Sequence, residues 1–112
     1  MELSDLEPTV RLVIRNPQSQ QSSLFGPGIA SLCRGVRDTG SLNAAAKNMS
    51  MAYSKAWRII KETEASLGFQ LLIRDGAHGS TLTDQALELL EAYDKLASSL
   101  RRYAKEEYAK LV

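Results

Sequence analysis

The stretch GSLNAAAKNMSMAYSKAWRIIKETEASLGFQLLIR, residues 40–74, decides the fold. Gly40 ends a preceding helix, and Ser41 is placed to cap the exposed N–H groups of the next one. Leu42, Ala45, Ala46 and Met49 then make a narrow apolar stripe, so a short helix spans residues 41–49. Its alanines allow another helix to come close. After a brief turn at Ser50 and Met51, a third helix runs over residues 52–67, with Tyr53, Ala56, Trp57, Ile60, Thr63 and Leu67 on its inner side. Ser54, Lys55, Arg58, Lys61 and Glu62 fall on the outer side. Gly68 suits the left-handed backbone that closes a helix, and Phe69–Arg74 reads as a strand.

Working outward from this stretch, Ile29, Leu32, Cys33 and Val36 follow the i, i+3, i+4, i+7 pattern, which predicts a first helix over residues 28–39. Further upstream, TVRLVIR at residues 9–15 alternates in the manner of a half-buried edge strand, and NPQSQQSS at 16–23 is a polar loop. Downstream, DGAHGS at 75–80 is a hairpin tip and TLT at 81–83 a short return strand, so residues 69–83 form a small wing. The last helix spans residues 84–111, capped by Thr83 or Asp84. Leu89, Tyr93, Leu96, Leu100 and Tyr103 lie along it at alternating spacings of 4 and 3, the seam of a coiled coil. Leu87 and Leu90 widen the stripe at its start. The first turns are therefore expected to pack on their own domain and the later ones to seek a second subunit, the alternative being a helix folded back across its own core.

The 112 residues suit one domain, and 44% hydrophobic with 24% charged residues marks a globular chain rather than a disordered or membrane one. MELSDLEPTV carries acids where a secretory signal carries bases, which predicts a cytoplasmic protein. One cysteine, Cys33, and one histidine, His78, supply neither an internal disulfide nor a clustered metal site. Cys33 lies on an apolar stripe and reads as a buried small hydrophobe. Trp57, at helical spacing from Tyr53 and Ile60, reads as core rather than as a base-stacking platform. No convergent acid, base and nucleophile, no phosphate-cradling Gly–Lys loop and no cofactor motif is found, so neither an enzyme nor a cofactor is expected.

Net charge is only +1, but it is unevenly distributed. Residues 31–83 hold Arg34, Arg37, Lys47, Lys55, Arg58, Lys61 and Arg74 against Asp38, Glu62, Glu64 and Asp75, whereas both flanks are slightly acidic. The element order, with a short and a longer helix joined by a tight turn ahead of a hairpin, is that of a winged helix-turn-helix: mainly α with a small β-wing. A helix fits the major groove of B-DNA, and the preceding helix braces it. Tyr53, Ser54, Lys55, Arg58 and Lys61 are the expected contacts of the third helix. Arg58 is the first choice for a guanine, and the lysines suit phosphates. Ser41 and Asn43 can donate to phosphate oxygens. Arg74, His78, Gly79 and Ser80 can reach the backbone or minor groove from the wing, although Asp75 opposes phosphate approach.

Residues 40–74 resemble the N-terminal DNA-binding domain of the molybdate-responsive ModE-type regulators, itself related to the winged helix-turn-helix of LysR-type regulators. The telling pieces are GS at 40–41, AAK at 45–47, MAYSKAWR at 51–58, LGFQL at 67–71 and LT at 82–83, and the resemblance extends from about Val10 to Leu100. It implies a homodimer formed by the flank of the first strand and the long helix, bound to a palindromic double-stranded operator and usually repressing. It also implies recognition by Tyr53, Ser54, Lys55 and Arg58, and matches Trp57 to a tryptophan typical of the family. Two departures stand out: the wing is short and has no lysine, and the oxyanion-binding domains that follow in full-length members are not present after the long helix. Molybdate sensing is therefore not expected of this chain. A winged helix used for protein association, or a partner subunit of a full-length regulator, is the competing expectation. The basic, polar outer face favours DNA over the first of these.

Overall fold

The computed structural model describes residues 1–76 and 79–112. Four helices and one hairpin follow one another as α1 (Pro27–Thr39), α2 (Leu42–Asn48), α3 (Tyr53–Leu67), β1 (Leu72–Asp75), β2 (Gly79–Leu82) and α4 (Asp84–Leu111), after a 3-10 turn at Leu3–Asp5. This is the winged helix-turn-helix anticipated from the sequence, with a two-stranded antiparallel wing and a long last helix.

Local signals act as their chemistry requires. Pro27 opens α1, where its missing N–H costs nothing, and Gly40 closes it at φ 72°, its amide returning to the Val36 carbonyl at 2.8 Å. Ser41 Oγ accepts from the Ala44 amide at 3.1 Å and starts α2. The turn between α2 and α3 places Ser50 at φ 54°, a left-handed conformation without glycine. Gly68, at φ 90°, closes α3. In the wing, Leu72 pairs with Leu82 and Asp75 with Gly79. A side chain at position 79 would meet the Asp75 carbonyl oxygen at 2.8 Å, so only glycine fits there.

Ile29, Ala30, Leu32, Cys33 and Val36 of α1 face Leu42, Ala45 and Ala46 of α2, Ala56 and Ile60 of α3, and Ala86, Leu90 and Tyr93 of α4 across one apolar core. Leu71 and Leu72 bring the wing into it. The Ser80 amide donates to the Gly40 carbonyl at 2.8 Å, pinning the wing to the end of α1. Thr83 Oγ1 donates to the Gln70 carbonyl at 2.7 Å and accepts from the Ala86 amide at 3.1 Å, so one side chain both closes the hairpin and caps α4.

The first strand is the departure. Residues 9–15 form no strand; Ile14 and Phe25 make a single antiparallel bridge, with N–H···O distances of 2.8 and 2.9 Å in the two directions. The facing backbone turns into α1 at Pro27, which has no N–H to continue a ladder. The Leu12 carbonyl is taken instead by the Tyr93 hydroxyl at 2.9 Å. Side-chain alternation survives without strand pairing: Leu12 and Ile14 are half-buried, whereas Arg11, Val13 and Arg15 are exposed.

Candidate nucleic-acid interface

The turn at Ser50 projects α3 so that Ala56, Ile60, Thr63, Glu64 and Ser66 are buried and Ser54, Lys55 and Arg58 stand exposed on the other side. Among the described residues, neither Lys55 nor Arg58 takes part in an ion pair. Ala52 contributes no side-chain oxygen to the start of α3, so the first amides of this helix carry no side-chain cap.

Trp57 is half-buried and packs against the edge of the core, at the border between α3 and the wing. Its Nε1–H donates to Tyr53 Oη at 2.7 Å, and the two rings meet edge to face at 6.5 Å. Arg74 lies over the indole at 4.8 Å and donates from Nη2 to the same Tyr53 Oη at 3.2 Å. Tyr53 is therefore an outer residue, 40% exposed, rather than the inner one expected from spacing. The periodic reading goes astray at 53 because the wing strand, which is distant in sequence, offers its ring a surface outside the core.

Lys61 is also drawn to this border. Its ammonium stands 5.0 Å from the indole centroid and 3.4 Å from Glu64 Oε1. Glu64, buried beneath it, accepts from the Leu71 and Leu72 amides at 2.7 and 3.3 Å through Oε2. Sequence reasoning assigned Glu64 nothing; the visible signal was a carboxylate on the inner face of an otherwise apolar helix stripe. Phe25, fully buried and edge-on to Tyr93 at 5.4 Å, was likewise missed; the signal there is a large apolar residue just ahead of the α1 cap.

Ser41, Asn43, Tyr53, Arg74 and Ser80 come together around one groove of about 460 Å³ between α2, α3 and the wing. Asn43 and Arg74 are exposed, Ser41 Oγ accepts from the Ala44 amide and keeps its own proton to donate, and Ser80, only 5% exposed, lies at the floor of the groove. His78 lies outside the described residues.

The seam expected on α4 divides in two. Leu89 packs against the core and Tyr93 is buried in it, whereas Leu96 and Tyr103 are 45% and 63% exposed and Leu100 is half-buried. Tyr93 thus leaves the set available to a second subunit. The side of α4 that carries Asp94 is tied to α1 by Arg34, whose Nη2 and Nε donate to the Asp94 carboxylate at 2.6 and 3.4 Å. Beyond it, Tyr108 Oη donates to the Leu3 carbonyl at 2.6 Å and holds the N-terminal segment along the helix. Among the described residues, no helix is long and apolar enough to cross a membrane.

Residues 31–87 match the family of bacterial regulatory helix-turn-helix proteins, lysR family. The chain is also similar to the protein in the crystal structure of the CbnR_DBD–DNA complex, with 25% identity and a TM-score of 0.61 over 74% of this chain and 94% of that one. No curated protein matches the chain.

Proposed function

We propose that this chain, which belongs to the LysR family of bacterial helix-turn-helix regulatory proteins, binds double-stranded DNA sequence-specifically as a homodimer and represses transcription from a palindromic operator. The family is regulatory rather than catalytic. The observation that carries the reading is the exposure of Lys55 and Arg58, without ion pairs among the described residues, on the helix that borders the groove holding Asn43 and Arg74. In this reading α3 enters the major groove, Arg58 engages guanine through its fork, Ser54 and Lys55 flank it, and Asn43 and Arg74 hold phosphates on either side. Lys61, engaged with Glu64 and Trp57, supports the wing more than the DNA. The similarity to a protein crystallised as a DNA complex supports the same reading.

The exposed Leu96 and Tyr103, with Leu100 between them, supply the apolar seam for the second subunit. The resemblance of residues 40–74 to the N-terminal domain of ModE-type regulators supports repression and cytoplasmic action.

The test is selection of bound duplexes from a random DNA pool, with Arg58→Ala run alongside. Wild type should enrich an inverted repeat with half-sites about one helical turn apart. The variant should bind the enriched site about 1–3 kcal/mol more weakly and with relaxed preference. No enrichment at low salt would overturn the proposal in favour of protein association, and unchanged selectivity in Arg58→Ala would remove that residue from base reading.

A further inference from the structure

A tyrosine hydroxyl has one proton to donate and two lone pairs with which to accept. At Tyr53 both lone pairs are occupied, one by Trp57 Nε1–H at 2.7 Å and the other by Arg74 Nη2 at 3.2 Å. What the hydroxyl has left is its proton. Acceptance from a cation polarises the O–H and makes it a better donor. Arg74 is in a matching condition: the indole covers one face of its guanidinium at 4.8 Å, one N–H is used on Tyr53, and the remaining in-plane N–H groups are without a carboxylate partner among the described residues. Asp75, next in the strand, is exposed and does not line the groove between α2, α3 and the wing. Both donors border the groove that Asn43, Gly76 and Gly79 also line.

We infer that Tyr53 Oη–H and the Arg74 guanidinium form a single donor-only seat for one phosphodiester of the DNA backbone, spanning α3 and the wing, with Trp57 as the positioning residue. The inference rests on the DNA-binding reading above and adds to it a specific mechanical link. The recognition helix and the wing grip the same phosphate, so the angle between them is set by the Trp57 ring and not by the short hairpin alone. Tyr53 then reads no base. Its loss weakens every duplex by a similar factor and leaves sequence preference as it was.

The experiment is a double-mutant cycle on the full chain, using Tyr53→Phe, Arg74→Ala and the pair, against a labelled mixed-sequence duplex of about two helical turns, over a series of salt concentrations. Arg74→Ala should weaken binding about tenfold and lower the salt slope by about one. Tyr53→Phe should weaken it about fivefold, and the pair should bind no worse than Arg74→Ala. Combined with Arg58→Ala, Tyr53→Phe should instead multiply. Trp57→Phe keeps a ring beneath the guanidinium but removes the N–H, and should shift binding by about twofold while preserving the salt slope. Tyr53 is exposed, so its phenylalanine variant keeps the fold, and thermal unfolding recorded in parallel verifies this. Wild-type affinity in Tyr53→Phe, or losses that multiply in the pair with Arg74→Ala, would overturn the shared seat. Absence of binding by wild type to any duplex at low salt would overturn the DNA-binding reading itself, and the seat with it.

Discussion

Gly35 of α1 and Ala45 of α2 meet so closely that a methyl group at position 35 would stand 2.6 Å from the Ala45 Cβ and 3.1 Å from its Cα. The short bracing helix is held against α1 by the absence of a side chain. Since α2 in turn supports α3, this contact sets the height at which the exposed basic face of α3 is presented. Gly35→Ala should cost about 1–3 kcal/mol through overpacking, despite the better helix propensity of alanine. Urea unfolding measures it, and an unchanged or raised midpoint would show that α2 shifts freely.

Glu64 joins α3 to the wing through two backbone amides, and these have no other acceptor once its carboxylate is gone. Glu64→Ala should cost about 1–3 kcal/mol and speed hydrogen exchange at the Leu71 and Leu72 amides, whereas Glu64→Gln, which keeps an acceptor oxygen, should cost less. Equal loss in both variants would indicate that the negative charge, and not the acceptor, is what the wing requires.

Burial pushes the Cys33 thiol up to about 12 from its ordinary 9.0, the desolvation outweighing the nearby Arg34 charge. A raised folded-state value means that the native protein keeps a proton the unfolded chain loses. The stabilisation is therefore complete below pH 9 and declines as pH rises toward 12, by at most about 1.4 kcal/mol per pH unit. Wild type should lose stability across that window more steeply than Cys33→Ala, and native Cys33 should resist thiol reagents at neutral pH until unfolding. Parallel pH profiles for the two proteins, or rapid labelling of the native state, would contradict the buried placement.

Leu96 and Leu100 belong to the part of α4 that the chain's own core does not cover. Leu96→Gln with Leu100→Gln should therefore shift a dimer toward monomer in light scattering while leaving the melting transition of the domain nearly unchanged. A dimer mass in that double variant would place the contact between subunits elsewhere.

Trp57 is the sole tryptophan and stands beneath Arg74 at the junction of α3 and the wing. If that junction closes on a phosphate, DNA titration should change its emission, and Arg74→Ala should abolish most of the change. Emission that stays constant through saturation would show that the junction is remote from the DNA.

The elements legible in the sequence share one property: each is specified by residues within about four positions of one another. Ser41 as a cap, Gly40 and Gly68 at the helix ends, the apolar face of α1 and the hairpin between β1 and β2 all follow from such neighbours. The basic face of α3 was legible for the same reason, because helical spacing alone separates Ser54, Lys55 and Arg58 from Ala56 and Ile60.

The remaining features depended on partners far along the chain. Spacing could place Tyr93 on the seam of α4, but only the arrival of residues 12 and 25, 81 positions away in the case of the Leu12 carbonyl, turned it into core. Residues 9–15 had the alternation of a strand and lacked a facing edge, which no local pattern reveals. Tyr53 left the inner face, and Trp57 stays at the edge of the core, because Arg74, 21 residues beyond Tyr53, gave their rings a hydrogen bond and a cation outside it. Thus the sequence by itself determined which helices form, where they stop and which face of α3 is basic, since backbone conformation and periodicity are local. Only the tertiary structure decided which apolar residues of α4 remain uncovered and how α3 and the wing come to share one groove, because burial and hydrogen-bond partnership are set by whichever distant segment arrives.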